Sequence, residues 1–536
     1  MFRPGPLLRA CLPLAALLLA AVAVAAPAVP DSALARTLDA LPGEFLTLGE
    51  AVTLALHHDT GLMAARADLA AAAGAERQAR GVFTPELFGR AERSGDDVPS
   101  ASFFAGADVL RQEQTLLSGG ARMTLPTGTQ LSASLNTTRL TTNNAFASLS
   151  PQIDTFGRLE VVQPLLQGFG NGTRGEAQAA SSLREGAEAA LAEADLATRA
   201  ETELTYWSLY AAERDFAVQS LIRDRARAFL QDARLRADAG LAGPADVASA
   251  EVFLAQQEQA VLDSEEMLDT LSDALAVLLD RRPAGDAPRY RPADTPPTPS
   301  APAPLETLVT GALERSPRVL AARSRVDAAR ARVGAARVNS RPRLDLFGSL
   351  GGRGLSGTGR DVVVNFGEGE PDTIRNVTDT GYGDGFSQVL ERRYPTWSVG
   401  VEFALPLGGN AADGTRAVRD AELARAEHQL EALTRAVEQD VRLQFRDLER
   451  GRERLALAER GVDASLEQAR IGQLEFRSGR VTAFELVRLS ADLADAQRRY
   501  SAALVRAARA AANLRRLTGG AFPGGTVPAG NPENTP

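Results

Sequence analysis

Few residues in this chain are grouped as catalysis would need. The one close histidine pair, His57-His58, consists of sequence neighbours that a helix would point about 100° apart, so the two cannot share a metal ion, and His428 is far off in sequence. Cys11 is the single cysteine and lies ahead of an apolar run near the start, which leaves the rest of the chain without a thiol for a disulfide, a nucleophile or a thiolate metal site. No glycine-rich phosphate loop occurs, and Ser, His and Asp are present without a local nucleophile signature. The expectation is a protein with no catalytic, metal or cofactor residues.

Composition and the first residues narrow the class further. All 59 basic residues are arginine, set against 68 acidic residues for a net charge of −9. A nucleic-acid partner is not expected from that balance, because phosphate binding needs a net basic face. Residues 1–25 read as a secretory signal: Arg3 and Arg9 precede the apolar run Leu12–Val24, and Ala23-Val24-Ala25 is a small-x-small cleavage site. Without that segment 57 basic residues face 68 acidic ones, a charge of −11. No later stretch has the 18 or so unbroken apolar residues of a transmembrane helix. An exported chain of this kind is either soluble or crosses a membrane as β-structure.

The elements that must position anything functional are long helices. Thr173 to about Asp238 contains no proline, and at 1.5 Å per residue it predicts an arm roughly 100 Å long. The chain breaks at Ala239-Gly240-Leu241-Ala242-Gly243-Pro244, where glycine permits a left-handed cap and proline suits a new first turn. A shorter arm returns to Asp280 with Val247, Leu254, Val261, Leu268 and Leu275 spaced by sevens, a coiled-coil seam. Thr173-x-x-Glu176 predicts a capping box at the start of the long arm; Thr415 lacks the acidic partner.

All of this occurs twice. Leu48–Thr84 reads as a helix, and Ala55–Pro85 aligns without a gap on Ala312–Pro342. Gly172-Thr173-Arg174 returns as Gly414-Thr415-Arg416, and the tip returns at Ser478-Gly479, with Asp246 and Glu485 each six residues beyond the glycine. The expected organisation is a signal at 1–25, an extension at 26–46, a first repeat at 47–280, a proline-rich linker at 281–304, a second repeat at 305–518 and a disordered tail at 519–536.

Between helix and hairpin each repeat carries β-structure. Trp397, Val399, Val401, Phe403 and Leu405 alternate with Ser398, Gly400, Glu402 and Ala404, the period of a strand with one apolar and one polar face. Leu344, Leu346 and Leu350 offer a weaker partner, and Leu131–Arg139 and Leu159–Gln163 are the candidates in the first repeat. Residues 86–128 add a further possible hairpin around Pro126-Thr127-Gly128, and Leu140–Thr155 and Gly351–Tyr394 read as exposed loops. Four strands cannot close a barrel, and open edges cannot stand in lipid, so such a barrel must be shared between copies.

This layout resembles the TolC family of outer-membrane efflux and secretion channels. The motifs that carry the resemblance are Gln163-Pro164-Leu165-Leu166-Gln167-Gly168-Phe169-Gly170, its partner Leu405-Pro406-Leu407-Gly408-Gly409, and the two tips, over roughly Leu48 to Thr518. The resemblance implies a mainly α fold with β: a tandem-duplicated, long α-helical barrel of coiled-coil hairpins plus a transmembrane β-barrel shared between three chains. It implies four strands per chain in a twelve-stranded barrel. The activity it implies is that of the outer-membrane channel of a tripartite efflux pump or type I secretion system, a passive conduit and not an enzyme. The partners it implies are two further copies, a periplasmic adaptor, outer-membrane lipid and, indirectly, an inner-membrane pump or ABC transporter.

Site residues follow by position. The tips Gly240, Leu241, Gly479, Arg480 and Val481 stand where the family meets its adaptor. Glu485 falls on the first acidic ring of the family's entrance, and the next position, Arg488, is basic where an acid is expected. Asp246 of the closing latch is kept, but Phe476 replaces a tyrosine and Val481 an arginine, so the family's latch is altered. Pro164 and Pro406 are expected to end strands and tilt the chain into the helices. The rival reading is a periplasmic coiled-coil adaptor or scaffold, which the alternating strand Trp397–Leu405 and the duplication oppose.

Overall fold

In a computed structural model of the chain, residues 32–99, 107–240, 243–281, 288–297, 301–364, 372–478 and 480–520 are described. The first repeat runs α1 (Ser32–Asp39), β1 (Glu44–Leu46), α2 (Leu48–His58), α3 (Thr60–Arg80), then four strands, β2 (Glu86–Pro99), β3 (Val109–Thr124), β4 (Gln130–Thr142) and β5 (Leu149–Pro164). The hairpin α4 (Asn171–Asp238) and α5 (Pro244–Leu278) follows. After β6 (Tyr290–Pro292), the second repeat runs α6 (Leu305–Arg315), α7 (Pro317–Asn339), β7 (Arg343–Gly359), a small hairpin β8 (Val362–Val364) and β9 (Asp372–Ile374), α8 (Tyr382–Leu390), β10 (Tyr394–Ala404), and the hairpin α9 (Asn410–Arg477) and α10 (Ala483–Leu517).

The duplication is close to residue-perfect in the helices. Both long arms have 68 residues and both short arms 35. The seam of α5 is real: Val261, Leu268 and Leu275 are buried, and Val247 and Leu254 pack beside Leu230 and Ala250 nearer the tip. Two local expectations fail. The helix expected over 48–84 breaks at Asp59, whose carboxylate accepts the Leu62 N–H at 2.6 Å and so starts a second helix; the second repeat breaks at the matching Ser316, with Pro317 in the new first turn. The capping box Thr173-x-x-Glu176 does not form. Helix α4 begins earlier, after Gly170 at φ +54°, and the Thr173 hydroxyl donates back to the Gly168 carbonyl while Glu176 pairs with Arg332 at 3.2 Å.

The core of the helical part sits midway along α4. Tyr206 and Trp207 are fully buried there, their rings 4.9 Å apart and edge-on, against Ala51 and Ala55 of α2 and Leu275 of α5. The Tyr206 hydroxyl donates to the Leu46 carbonyl at 2.9 Å and accepts the Asp294 N–H at 3.1 Å, and burial pushes its pKa upward. The chain between the repeats is thereby bound to the wall: β6 pairs in parallel with β1, and Arg291 reaches Glu213 of α4 at 2.6 Å with both side chains buried. Burial raises the Glu213 carboxyl more than Arg291 lowers it.

The largest difference from expectation is in the sheet. It has six strands, not four, in the order β10-β7-β5-β4-β3-β2, and every neighbouring pair is antiparallel. The turn expected at Pro126-Thr127-Gly128 joins β3 to β4, with the Leu125 N–H on the Thr129 carbonyl at 2.8 Å and Gly128 at φ +92°. Strands β5 and β7 also run further than their apolar residues suggested, into the supposed loops Leu140–Thr155 and Gly351–Tyr394, because paired backbone continues where the side chains turn polar.

Candidate functional site

Register places the side chains of this sheet on two unlike faces. One row, read across all six strands, is Leu87, Ala121, Ala133, Leu159, Leu350 and Trp397. The next row, pointing to the other face, is Glu86, Arg122, Ser132, Glu160, Ser349 and Ser398. A one-residue slip in any strand would exchange the two, so this register is strongly specified. On β10 the apolar residues remain open, with Trp397 74%, Val399 68%, Val401 61% and Phe403 62% exposed. The polar face is bonded within itself: Glu86 accepts from Arg122 at 2.8 Å, the Ser349 and Ser398 hydroxyls lie 2.7 Å apart, and Arg158 and Arg353 both stand over the Phe156 ring. Strands β2 and β10 are paired on one side only. Sequence reasoning missed β2 because five charges crowd Arg90–Asp97; its signal, Leu87, Gly89 and Ala91 at every second residue, emerges once the register is known.

At the strand exits Pro164 ends β5 and is buried, and Pro406 follows β10 two residues after its end. Asn339 at the end of α7 ties the first exit down: its carboxamide accepts the Gly168 N–H at 3.1 Å and donates to the Gly172 carbonyl at 3.0 Å. The second exit uses Gly408 at φ +98° and Gly409 at φ +57° before α9.

At the far end of the hairpins, Gly240 adopts φ +73°, and the N–H groups of Ala239 and Gly240 close the last turn of α4 onto Leu235 and Ala237. The Asp246 carboxylate accepts the Gly243 N–H at 2.9 Å, capping its own helix. Leu241 and Gly479 lie outside the described residues. Arg480 is exposed and Val481 half-buried, and the Thr482 hydroxyl accepts the Glu485 N–H at 3.3 Å, which sets Glu485 in the first turn of α10 where the helix dipole favours an acid. Glu485 and Arg488 are both exposed, and among the described residues no ion pair joins them. Phe476 lines a cavity of about 510 Å³ between α4, α9 and α10, with Phe229, Leu466, Leu486 and Leu493. Phe484 reaches across to Phe229, with ring centroids 6.4 Å apart, so the second tip leans on the first hairpin. This end offers a cavity whose apolar side chains are mixed with Arg225, Asp232 and Arg470; the structure does not bring Asp246 and Phe476 into a bonded pair.

Among the described residues no helix is long and apolar enough to cross a membrane, and no His, Cys, Asp or Glu cluster has metal-binding geometry. Residues 308–520 match the family described as outer membrane efflux protein. That match covers the second repeat. The whole chain has the fold of such channels. It superposes on the outer-membrane channel OprN with a TM-score of 0.59 at 20% identity, covering 88% of this chain and 90% of that one. For the CmeC outer membrane channel of Campylobacter jejuni the TM-score is 0.58 at 15% identity, covering 89% and 86%. For the open state of the MtrE outer membrane channel of Neisseria gonorrhoeae it is 0.58 at 17% identity, covering 88% and 89%. No curated protein matches the chain in sequence. The resemblance to TolC-family channels, drawn from motifs and duplication, is borne out.

Proposed function

We propose that the chain is the outer-membrane component of a tripartite efflux pump or type I secretion system, a passive conduit assembled from three copies. The observation that carries this reading is the two-faced, six-stranded sheet with an open edge at each end, in the same chain as two long hairpins. An apolar face belongs against lipid, and unpaired strand edges cannot stay there. Edge β10 of one copy therefore pairs with β2 of the next, and three six-stranded sheets close an eighteen-stranded barrel, a size that leaves an aqueous channel. The polar row with Arg122, Glu160 and Ser349 lines that channel.

Below the membrane the hairpins form the periplasmic tunnel, and the tips Gly240, Leu241, Gly479, Arg480 and Val481 meet a periplasmic adaptor. Glu485 and Arg488 stand at the entrance. Transport energy comes from an inner-membrane pump or ABC transporter acting through that adaptor. The scaffold reading has no use for an apolar sheet face carrying Trp397, Val399 and Leu159 in the open. The test is membrane fractionation followed by light scattering in detergent. Outer-membrane recovery and a trimer mass are expected; a soluble periplasmic protein or a stable monomer would overturn the proposal.

A further inference from the structure

Helix α8 occupies an unexpected place. It lies on the apolar face of the sheet, the face of Leu159 and Leu350. The contacts that fix this are at glycines. A Cβ on Gly157 would come within 2.7 Å of Val389 Cγ1, one on Gly352 within 2.9 Å of the Val389 carbonyl oxygen, and one on Gly354 would collide with the Gly385 carbonyl. Gly157 and Gly352 share the row next to Leu159, Leu350 and Trp397 on the side away from the helical hairpins, and their Cβ directions are those of that apolar face. Beneath α8 the side chains of Ile153, Thr155 and Ser356, on the same face, are buried. Where β10 stops, Gln388 takes over as strand partner: its carboxamide accepts the Leu355 N–H and donates to the Leu355 carbonyl, both at 3.1 Å. The helix is thus pinned to the sheet by backbone bonds and by glycines that admit it.

The opposite side of α8 is bare. Tyr382, Phe386 and Leu390 recur at every fourth residue and are 46%, 40% and 67% exposed; Glu391 follows and pairs with Arg393 at 3.2 Å. A stripe of three large apolar side chains, on a helix that runs along β7 from the level of Gly357 to that of Gly352, extends the apolar surface of the sheet toward its outer end. We propose that α8 forms part of the lipid-facing surface in the outer leaflet, clamped along the outside of β5 and β7, with Tyr382, Phe386 and Leu390 against lipid and Tyr382 nearest the headgroups. Lipid is the occupant because the stripe continues the apolar surface of Trp397, Leu350 and Leu159 without a polar break. The inference rests on the channel reading, which makes that face the lipid face. Its consequence is that the extracellular end of β5 and β7 is shielded from lipid by protein, and that this part of the wall is two layers thick.

The test places an environment-sensitive fluorophore on single cysteines introduced into a Cys11→Ser background, in trimers reconstituted into phosphatidylcholine vesicles. The sites are Phe386→Cys on α8, Leu159→Cys on the apolar face and Ser134→Cys on the polar face. Phe386 is exposed, so a label there does not enter a packed core. Lipids brominated near the headgroup end of the chain should quench the Phe386 label roughly twofold, as expected for a side chain against lipid in the outer leaflet. Lipids brominated near the methyl end should act most on the Leu159 label, and neither should act on Ser134. A Phe386 label as unquenched as Ser134, beside a quenched Leu159, would put α8 in water or under the neighbouring copy and overturn the inference while leaving the channel standing. An unquenched Leu159 label would remove the channel reading itself, and α8's lipid contact with it.

Discussion

Arg291 is a single side chain that joins three parts of the chain. Its guanidinium binds Glu213 of α4 at 2.6 Å and donates to the carbonyls of Leu41 and Leu38 at 2.8 and 2.7 Å, with both side chains buried. Removing one partner of a buried ion pair strands the other charge, at a cost of about 3–5 kcal/mol. Arg291→Met should therefore lower the thermal midpoint of the helical part markedly, and adding Glu213→Met should recover much of the loss; an additive second loss would show that the pair is not the cause. The glutamate also leaves a signature in pH. Its carboxyl is raised above the ordinary 4.5 by burial, against the pull of Arg291. A group raised in the folded state adds stability below its unfolded pKa, and that contribution fades as pH rises through the folded value. The stability of the parent relative to Glu213→Gln should fall from pH 4.5 upward, and a flat difference across that range would contradict it. At the proposed entrance the residue scale concerns charge alone. Three glutamates and three arginines from Glu485 and Arg488 would form stacked rings whose fields partly cancel, so the channel should be only weakly cation-selective. Arg488→Ala should raise cation selectivity in a reversal-potential measurement and Glu485→Ala should shift it toward anions. Both effects should shrink at 1 M salt, where the screening length is about 3 Å; equal potentials in all three proteins would place both residues off the conduction path.

At the scale of elements, helices were legible and strands only in part, for a physical reason. A heptad such as Val247, Leu254, Val261 repeats its signal over five turns or more, and a tip announces itself by Gly240 and Pro244. A barrel strand offers three or four alternations, and in β2 the polar alternates are Arg90, Glu92 and Asp96, which hide the row of Leu87, Gly89 and Ala91. Helix α8 was hidden differently: nine residues with three glycines at or beside its start read as loop, and only the sheet beneath makes the helix worth forming. Capping was the weakest guide, since Thr173 and Glu176 had the right spacing and found other partners. The tip residues were legible as turns, while the groove between the hairpins needed Phe229 and Phe476 to be brought together from far apart in sequence. One element-scale prediction follows from Gly240 at φ +73°, with open space around it. Gly240→Val meets no neighbour but must carry a β-branched side chain in the left-handed region, at a cost of about 1–2 kcal/mol. It should deform the first tip and weaken cross-linking to the proposed adaptor while trimer mass stays unchanged. Normal export and cross-linking would make this tip a connector only.

The whole molecule departs from the plan its resemblance implies in one respect, the first repeat's four strands against the second's two long ones. The helices are duplicated length for length, 68 with 68 and 35 with 35, so the extra hairpin is an addition to the barrel that leaves the tunnel wall unchanged. Its turn at Pro126-Thr127-Gly128 lies on the helical side of the sheet, beside Gly168 and Pro164, where a Cβ on Gly128 would meet the Pro164 ring at 2.9 Å. That contact seats the hairpin against the strand exit and holds β3 and β4 in line with the rest. If all six strands cross the membrane, the only edges left to join copies are β2 and β10. The two run antiparallel to each other around a closed barrel of even strand number, so residues of one face lie opposite each other at the seam. Val399→Cys combined in turn with Leu87→Cys, Gly89→Cys or Ala91→Cys should therefore give a disulfide-linked trimer on a denaturing gel in at least one register. The same Val399→Cys combined with Ala121→Cys or Ala133→Cys should give none, because β3 and β4 have both neighbours within their own chain. Cross-linking to Ala133 and not to β2 would mean that β2 and β3 lie outside the barrel wall and that each copy supplies four strands after all.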